Sequence, residues 1–305
     1  MASQPASEVV ISAPTTAAGL AVHGGGRVVD RAASPALVAG VVVLLALVYG
    51  PTAAWLVDRW TMSIWHNAHG ALVLPVACWL MWQELKPTWR LGPASSAAGW
   101  FFVVPALLLH ILDQGMQTQL LSAVSFVLLL PGLSLLFLGT ARTRRIAFPL
   151  LFVALMLPIP LAVTERLHLV LRQIAAHACE VLVPMLGIPV MRVETTLHTP
   201  NASLLVADAC SGFSTLYAAG AVALLTMYLS ASNVRRALVG ILFAPIAIVV
   251  NVVRVALLVV LVYWQGTDVL ATSLHELSGI VTFLIALPVI FWIGGPARPI
   301  EEPAA

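Results

Sequence analysis

The chain has 305 residues, 60% of them hydrophobic and 9% charged, and a mean hydropathy of +0.99, against about 25% charged in an ordinary globular domain. A soluble body of this size cannot hide so many apolar side chains, so composition predicts an all-α polytopic membrane protein that shares its core with lipid. The net charge of +2 is scattered between apolar runs with Lys86 as the sole lysine, which excludes a nucleic-acid stripe; the three cysteines form no disulfide framework, and no phosphate-cradling loop is present.

In chain order, residues 1–34 are rich in Ala, Ser, Gly and Val and read as a mobile cytoplasmic tail without a secretory leader. A helix needs roughly 20 mostly apolar residues to span the hydrocarbon. The expected spans are 36–57, 69–84 (starting near Trp65), 95–112, 119–139, 146–163, 211–231, 237–263 and 275–294, within a membrane domain over 35–295. Gly294-Gly295-Pro296 ends it and leaves 296–305 as a short cytoplasmic tail. Segment 165–187 differs, because Glu165, Arg166, His168, Arg172, Gln173, His177 and Glu180 recur at three- or four-residue spacing opposite Leu167, Leu171, Ile174 and Val181. That pattern predicts an amphipathic helix in the interface rather than a ninth span. The positive-inside rule agrees. With 165–187 outside, Arg27/Arg31, Lys86/Arg90, Arg142/Arg144/Arg145, Arg235/Arg236 and Arg298 all fall on the cytoplasmic side, giving eight spans with both termini inside.

This topology brings three unusual residues to one depth. Cys210 opens a helix that ends near Arg235, about 37 Å away at 1.5 Å per residue; Arg254 lies about 27 Å beyond Arg236; His275 opens the last span. All three belong at the outer face. A thiol at a helix start is favoured as thiolate, an intramembrane arginine marks a partner or site, and Asn251 shares its face one turn away. Thiolate, histidine and guanidinium are the parts of an acyl-transfer site. The same residues also fit a transporter or channel with a polar Asp208/Arg254/His275 pathway, or a scaffold subunit of an envelope polysaccharide export system. His66 and His69, at three-residue spacing, lack a carboxylate or cysteine partner and make a poor metal site.

At these positions the chain resembles the exosortase/archaeosortase family of membrane transpeptidases. The resemblance rests on Ala209-Cys210-Ser211-Gly212, Asn251-Val252-Val253-Arg254 and His275-Glu276-Leu277-Ser278-Gly279 in that order, with His69-Gly70, Phe148-Pro149, Pro158-Ile159-Pro160 and Leu186-Gly187-Ile188-Pro189-Val190 upstream. It covers roughly residues 36–294, and histidine in the third position is similar to the bacterial exosortase branch. The resemblance implies a cysteine peptidase or transpeptidase of the bacterial inner membrane, needing no cofactor or metal. Its partners would be the lipid bilayer, exported proteins bearing a C-terminal Pro-Glu-Pro-like motif followed by a transmembrane helix, and proteins of envelope polysaccharide biosynthesis. Cys210 would form a thioester at the periplasmic face, with His275 as acid/base and Arg254 as electrostatic partner. Ser211, Gly212, Asn251 and Glu276 are read as supporting residues; Asp208, whose carboxylate would oppose thiolate formation unless paired, is read from its place beside Cys210, not from the resemblance, as orienting Arg254 or His275. Phe213 stands where the family pattern has Leu or Ile. Alternation over 190–197 and the turn signal Pro200-Asn201 predict a short outer hairpin able to pair with an extended substrate segment.

Overall fold

A computed structural model describes residues 35–61, 68–88, 94–207, 210–268 and 273–296. Backbone groups in lipid have no water to bond, so the apolar runs close their hydrogen bonds within helices. These are α1 (Pro35–Thr61), α2 (Gly70–Leu85), α3 (Trp100–Met116), α4 (Leu120–Arg145), α5 (Ala147–Phe152), α6 (Leu161–Leu182), α7 (Phe213–Leu229), α8 (Asn233–Gln265) and α9 (Ser273–Gly294). Of these, α1, α3, α4, α6, α8 and α9 are long and apolar enough to cross a membrane by themselves. Helix α4 lies along α3, α2 rests on α5, and α7, α8 and α9 pack mutually. The protein is a polytopic helical membrane protein, as its composition predicts.

The expected span 146–163 is not one helix. Helix α5 tightens into a 3-10 turn over Val153–Met156 and the chain then extends to α6. Pro158 and Pro160 account for the break: proline pushes the residue before it out of helical conformation and supplies no N–H of its own.

Helix α6 is amphipathic, with Thr164, His168, Leu171, Ala175, Cys179 and Val183 buried at three- and four-residue intervals. Its lower turns meet Ile248 and Val252 of α8, and its upper turns share a core with Val255, Leu258, Val259 and Val262. Arg166, Gln173 and His177 stay exposed, as the pattern predicts, whereas His168 belongs to the packed stripe rather than to the polar face.

At about 1.5 Å per residue α8 is roughly 50 Å long, well over the about 30 Å of a hydrocarbon core. A helix of that length tilts in the bilayer or projects from it, and a small sheet gathers around its C-terminal end. Strands β1 (Met191–Val193), β2 (Thr196–His198) and β3 (Ser203–Leu205) are antiparallel in the order β1-β2-β3. Leu197 and Leu204 enter the core with the end of α8, and Asn201 Nδ2 donates to Tyr263 O at 3.0 Å. The continuous alternation expected over 190–197 is interrupted at Glu194, which turns with φ 54°, so the outer segment folds as three strands.

Register defines the free edge. Val206 N–H donates to Thr195 O and Thr199 N–H to Ala202 O. With Leu197 opposite Leu204, the two-residue period turns the main-chain groups of Ala202, Leu204 and Val206 toward β2. Those of Ser203 and Leu205 point to the outer edge, where no strand pairs among the described residues.

At the opposite end of the bundle, helix termini are tied together. Tyr228 Oη donates to Glu84 Oε1 at 2.5 Å, with Arg145 Nε 4.0 Å from Glu84 Oε2. Arg142 donates to Thr88 O, Arg236 to Ser230 O, and Ser230 Oγ to Gly294 O. The ends of α2, α4, α7 and α9 and the start of α8 therefore share one face with most of the arginine clusters.

Candidate functional site

From β3 the chain runs through buried Val206 to a tight turn at the head of α7. Cys210 N–H donates to Ala207 O at 2.9 Å, and Gly212 adopts φ 79° before the helix begins. Only glycine enters that left-handed region without steric cost. Space requires it too, since a Cβ on Gly212 would collide with the Asn251 side chain.

Asn251 approaches because it holds the turn from α8. Its Nδ2 donates to both Cys210 O and Ser211 O, each at 3.2 Å. On the other side, Ser211 Oγ accepts the Phe213 N–H at 3.2 Å and is hydrogen-bonded to His168 Nδ1 at 2.9 Å. The residue after the cysteine is thus gripped through its carbonyl by α8 and through its hydroxyl by α6. The Phe213 ring lies tilted against His168 and stacks on Tyr217, whose ring in turn meets His69 edge-on.

Arg254 stands one turn above Asn251 and is buried, with 6% of its surface exposed. Its Nε donates to Ser278 Oγ at 2.9 Å, and a Cβ placed on Gly279 would lie 3.6 Å from its Cζ, so the guanidinium lies over the backbone of α9. Burial pushes the Cys210 thiol up from its ordinary value, while the Arg254 guanidinium and a backbone hydrogen bond at Ala207 pull it down. The helix start alone therefore does not make Cys210 a ready thiolate, and Arg254 is the charge that favours ionisation.

The predicted residues divide accordingly. Cys210, Ser211, Gly212, Asn251 and Arg254 come together. The backbone of His275 and Glu276 lies in the first turn of α9, three and four positions before Ser278 and Gly279 in the case of His275, but their side chains lie outside the described residues, as do Asp208 and His66. Cys78 is exposed and Cys179 is buried on α6, its Sγ 3.9 Å from Val252 O. His168 is the addition that sequence reasoning missed. Its signal was spacing: it falls four residues after Thr164 and three before Leu171, on the stripe that α8 and the turn cover.

The family model for transmembrane exosortases matches residues 60–292. No curated protein and no solved structure matches the chain.

Proposed function

Because the chain belongs to the transmembrane exosortase family, we propose that it is a cysteine transpeptidase or endopeptidase of the bacterial inner membrane, removing the C-terminal sorting signal of exported proteins. The observation that carries the reading is the meeting of three motifs: Asn251 holds the Cys210 turn, and Arg254, one turn further on, is seated on Ser278 and Gly279. A thiol and a buried guanidinium held together in this way are the nucleophile and the charge that peptide acyl transfer requires.

Cys210 Sγ, as thiolate, attacks the carbonyl carbon of the scissile peptide. Negative charge develops on the carbonyl oxygen, where Arg254 supplies the compensating charge. The C–N bond breaks as His275 protonates the leaving amine, which departs with the substrate's C-terminal helix. The remaining thioester is resolved by an amine, giving ligation, or by water, giving hydrolysis, with His275 accepting the proton. Asn251, Ser211 and Gly212 hold the nucleophile's backbone. Asp208 orients Arg254 or His275, with Glu276 in support.

The substrate is a membrane-anchored protein with a Pro-Glu-Pro-like motif just outside its last helix. Ser203 and Leu205 offer N–H and C=O groups at an exposed edge that runs directly into the Cys210 turn, suiting an extended segment by strand addition. The arginine-bearing end of the bundle faces the cytoplasm with both termini, and the sheet faces the periplasm.

The test follows a tagged protein with a C-terminal sorting signal, from the same genome, in cells making the wild-type enzyme or Cys210→Ala. The reporter is shortened in the first and stays full length in the second. Equal shortening in both removes Cys210 as the nucleophile and favours a channel or scaffold, which have no need of the thiol.

A further inference from the structure

His168 is a buried polar side chain that the trio does not use. It is 4% exposed, on a helix whose other charged and polar groups largely face outward, and it reaches the residue next to the nucleophile. A buried imidazole needs a hydrogen-bond partner whatever its role, so the informative point is which partner it takes. This one bonds across 43 positions of sequence to Ser211, while its ring lies 4.5 Å from that of Phe213.

We propose that His168 is a positioning residue for Cys210: acting through Ser211 Oγ, it fixes the rotation of the Cys210-Ser211-Gly212 turn and so the direction of the thiol toward the scissile carbonyl. The proposal rests on the reading of Cys210 as nucleophile.

Two anchors are needed for a physical reason. Asn251 restrains the carbonyls of Cys210 and Ser211 from the α8 side, but both of its bonds leave from one nitrogen. A turn held at one nitrogen can still rock about it. The Ser211 hydroxyl leaves on a different side of the chain, and its bond to α6 removes that freedom. Ser211 Oγ also takes the Phe213 N–H, so the same atom joins the turn to the first residue of α7. Loss of the His168 bond leaves the turn attached to α7 and α8 yet free to tilt, and misplacement by about 1 Å can cost on the order of a hundredfold in rate.

The experiment uses full-length enzyme in proteoliposomes with the uncut tagged reporter as substrate, measuring kcat and KM for His168→Phe, His168→Asn, His168→Gln, Ser211→Ala and the His168→Phe/Ser211→Ala double variant. Asparagine carries its amide where Nδ1 stood, whereas glutamine carries it where Nε2 stood. Expected results are a fall in kcat of about tenfold or more for His168→Phe, His168→Gln and Ser211→Ala with KM nearly unchanged, and recovery to within about threefold of wild type in His168→Asn. The double variant should be no worse than either single one, since both remove the same bond. Wild-type kcat in His168→Phe, equal loss in the Asn and Gln variants, or additive losses in the double variant overturn the proposal. Should His168→Phe fail to accumulate in the membrane, the comparison of Asn with Gln decides the question. Cys210→Ala in the same assay keeps the two readings apart: processing that survives it sinks the nucleophile itself, whereas Cys210-dependent processing indifferent to His168 sinks only the positioning role.

Discussion

Gly212 and Arg254 are the residues at which single atoms matter most. The left-handed φ of Gly212 and the nearness of Asn251 leave no room for a methyl group. Gly212→Ala is therefore expected to reduce processing at least about tenfold, with backbone strain of roughly 1–3 kcal/mol; reporter shortening over time measures it. Arg254 has a different signature. Because burial raises the Cys210 thiol and Arg254 offsets part of that effect, Arg254→Gln should move the pH midpoint of Cys210 alkylation upward. At any fixed pH below that midpoint less thiolate is present, so labelling slows. An unchanged midpoint in a background lacking Cys78 and Cys179 would remove Arg254 as the charge the thiol responds to. Both residues were legible beforehand from the ordered motifs, since glycine after a cysteine turn and arginine inside an apolar run are each costly without a reason. His168 was not, because a histidine in an amphipathic pattern belongs to either face until its neighbours are known.

Elements impose the next level of order. The outer segment read as a strand pattern, but its division into three strands follows from the turn at Glu194 and the anchoring of Leu197 and Leu204 beside α8. That division leaves Ser203 and Leu205 at the edge. Proline at either position removes an outward N–H, so Ser203→Pro and Leu205→Pro should raise KM for the reporter about three- to tenfold while changing kcat little, in keeping with a lost hydrogen bond of roughly 0.5–1.5 kcal/mol. A fall in kcat with KM unchanged would argue that the edge serves the turn rather than the substrate. Helix α6 carries the same lesson. Its amphipathic period is visible in the residues, whereas its choice of α8 as partner depends on small side chains, Ala175, Ala176 and Cys179, which are fully or almost fully covered there.

Across the whole molecule, helix ends sort to two faces. Glu84, Tyr228 and Arg145 join the N-terminal helices to α7 at the arginine-bearing end. Tyr228→Phe should lower stability in detergent by roughly 1.5–3 kcal/mol, the range for a hydrogen bond to a charged group, leaving Cys210 alkylation unchanged. Orientation is open to direct test: in a background without the exposed Cys78, Glu194→Cys should react with a membrane-impermeant thiol reagent added to intact spheroplasts and Arg144→Cys only after lysis. The reverse pattern would invert the topology.

The sequence by itself determined the membrane class, the succession of apolar runs, the amphipathic character of 165–187 and the order of the three motifs. Each of these depends on local composition and period, which need no knowledge of neighbours. Tertiary structure decided the break after α5, the seating of Arg254 on Ser278 and Gly279, the free edge of β3 and the bond from His168 to Ser211. Those features arise where segments distant in sequence meet, and hydropathy carries no signal about which helix face another will cover, because lipid and a neighbouring helix reward the same apolar side chains.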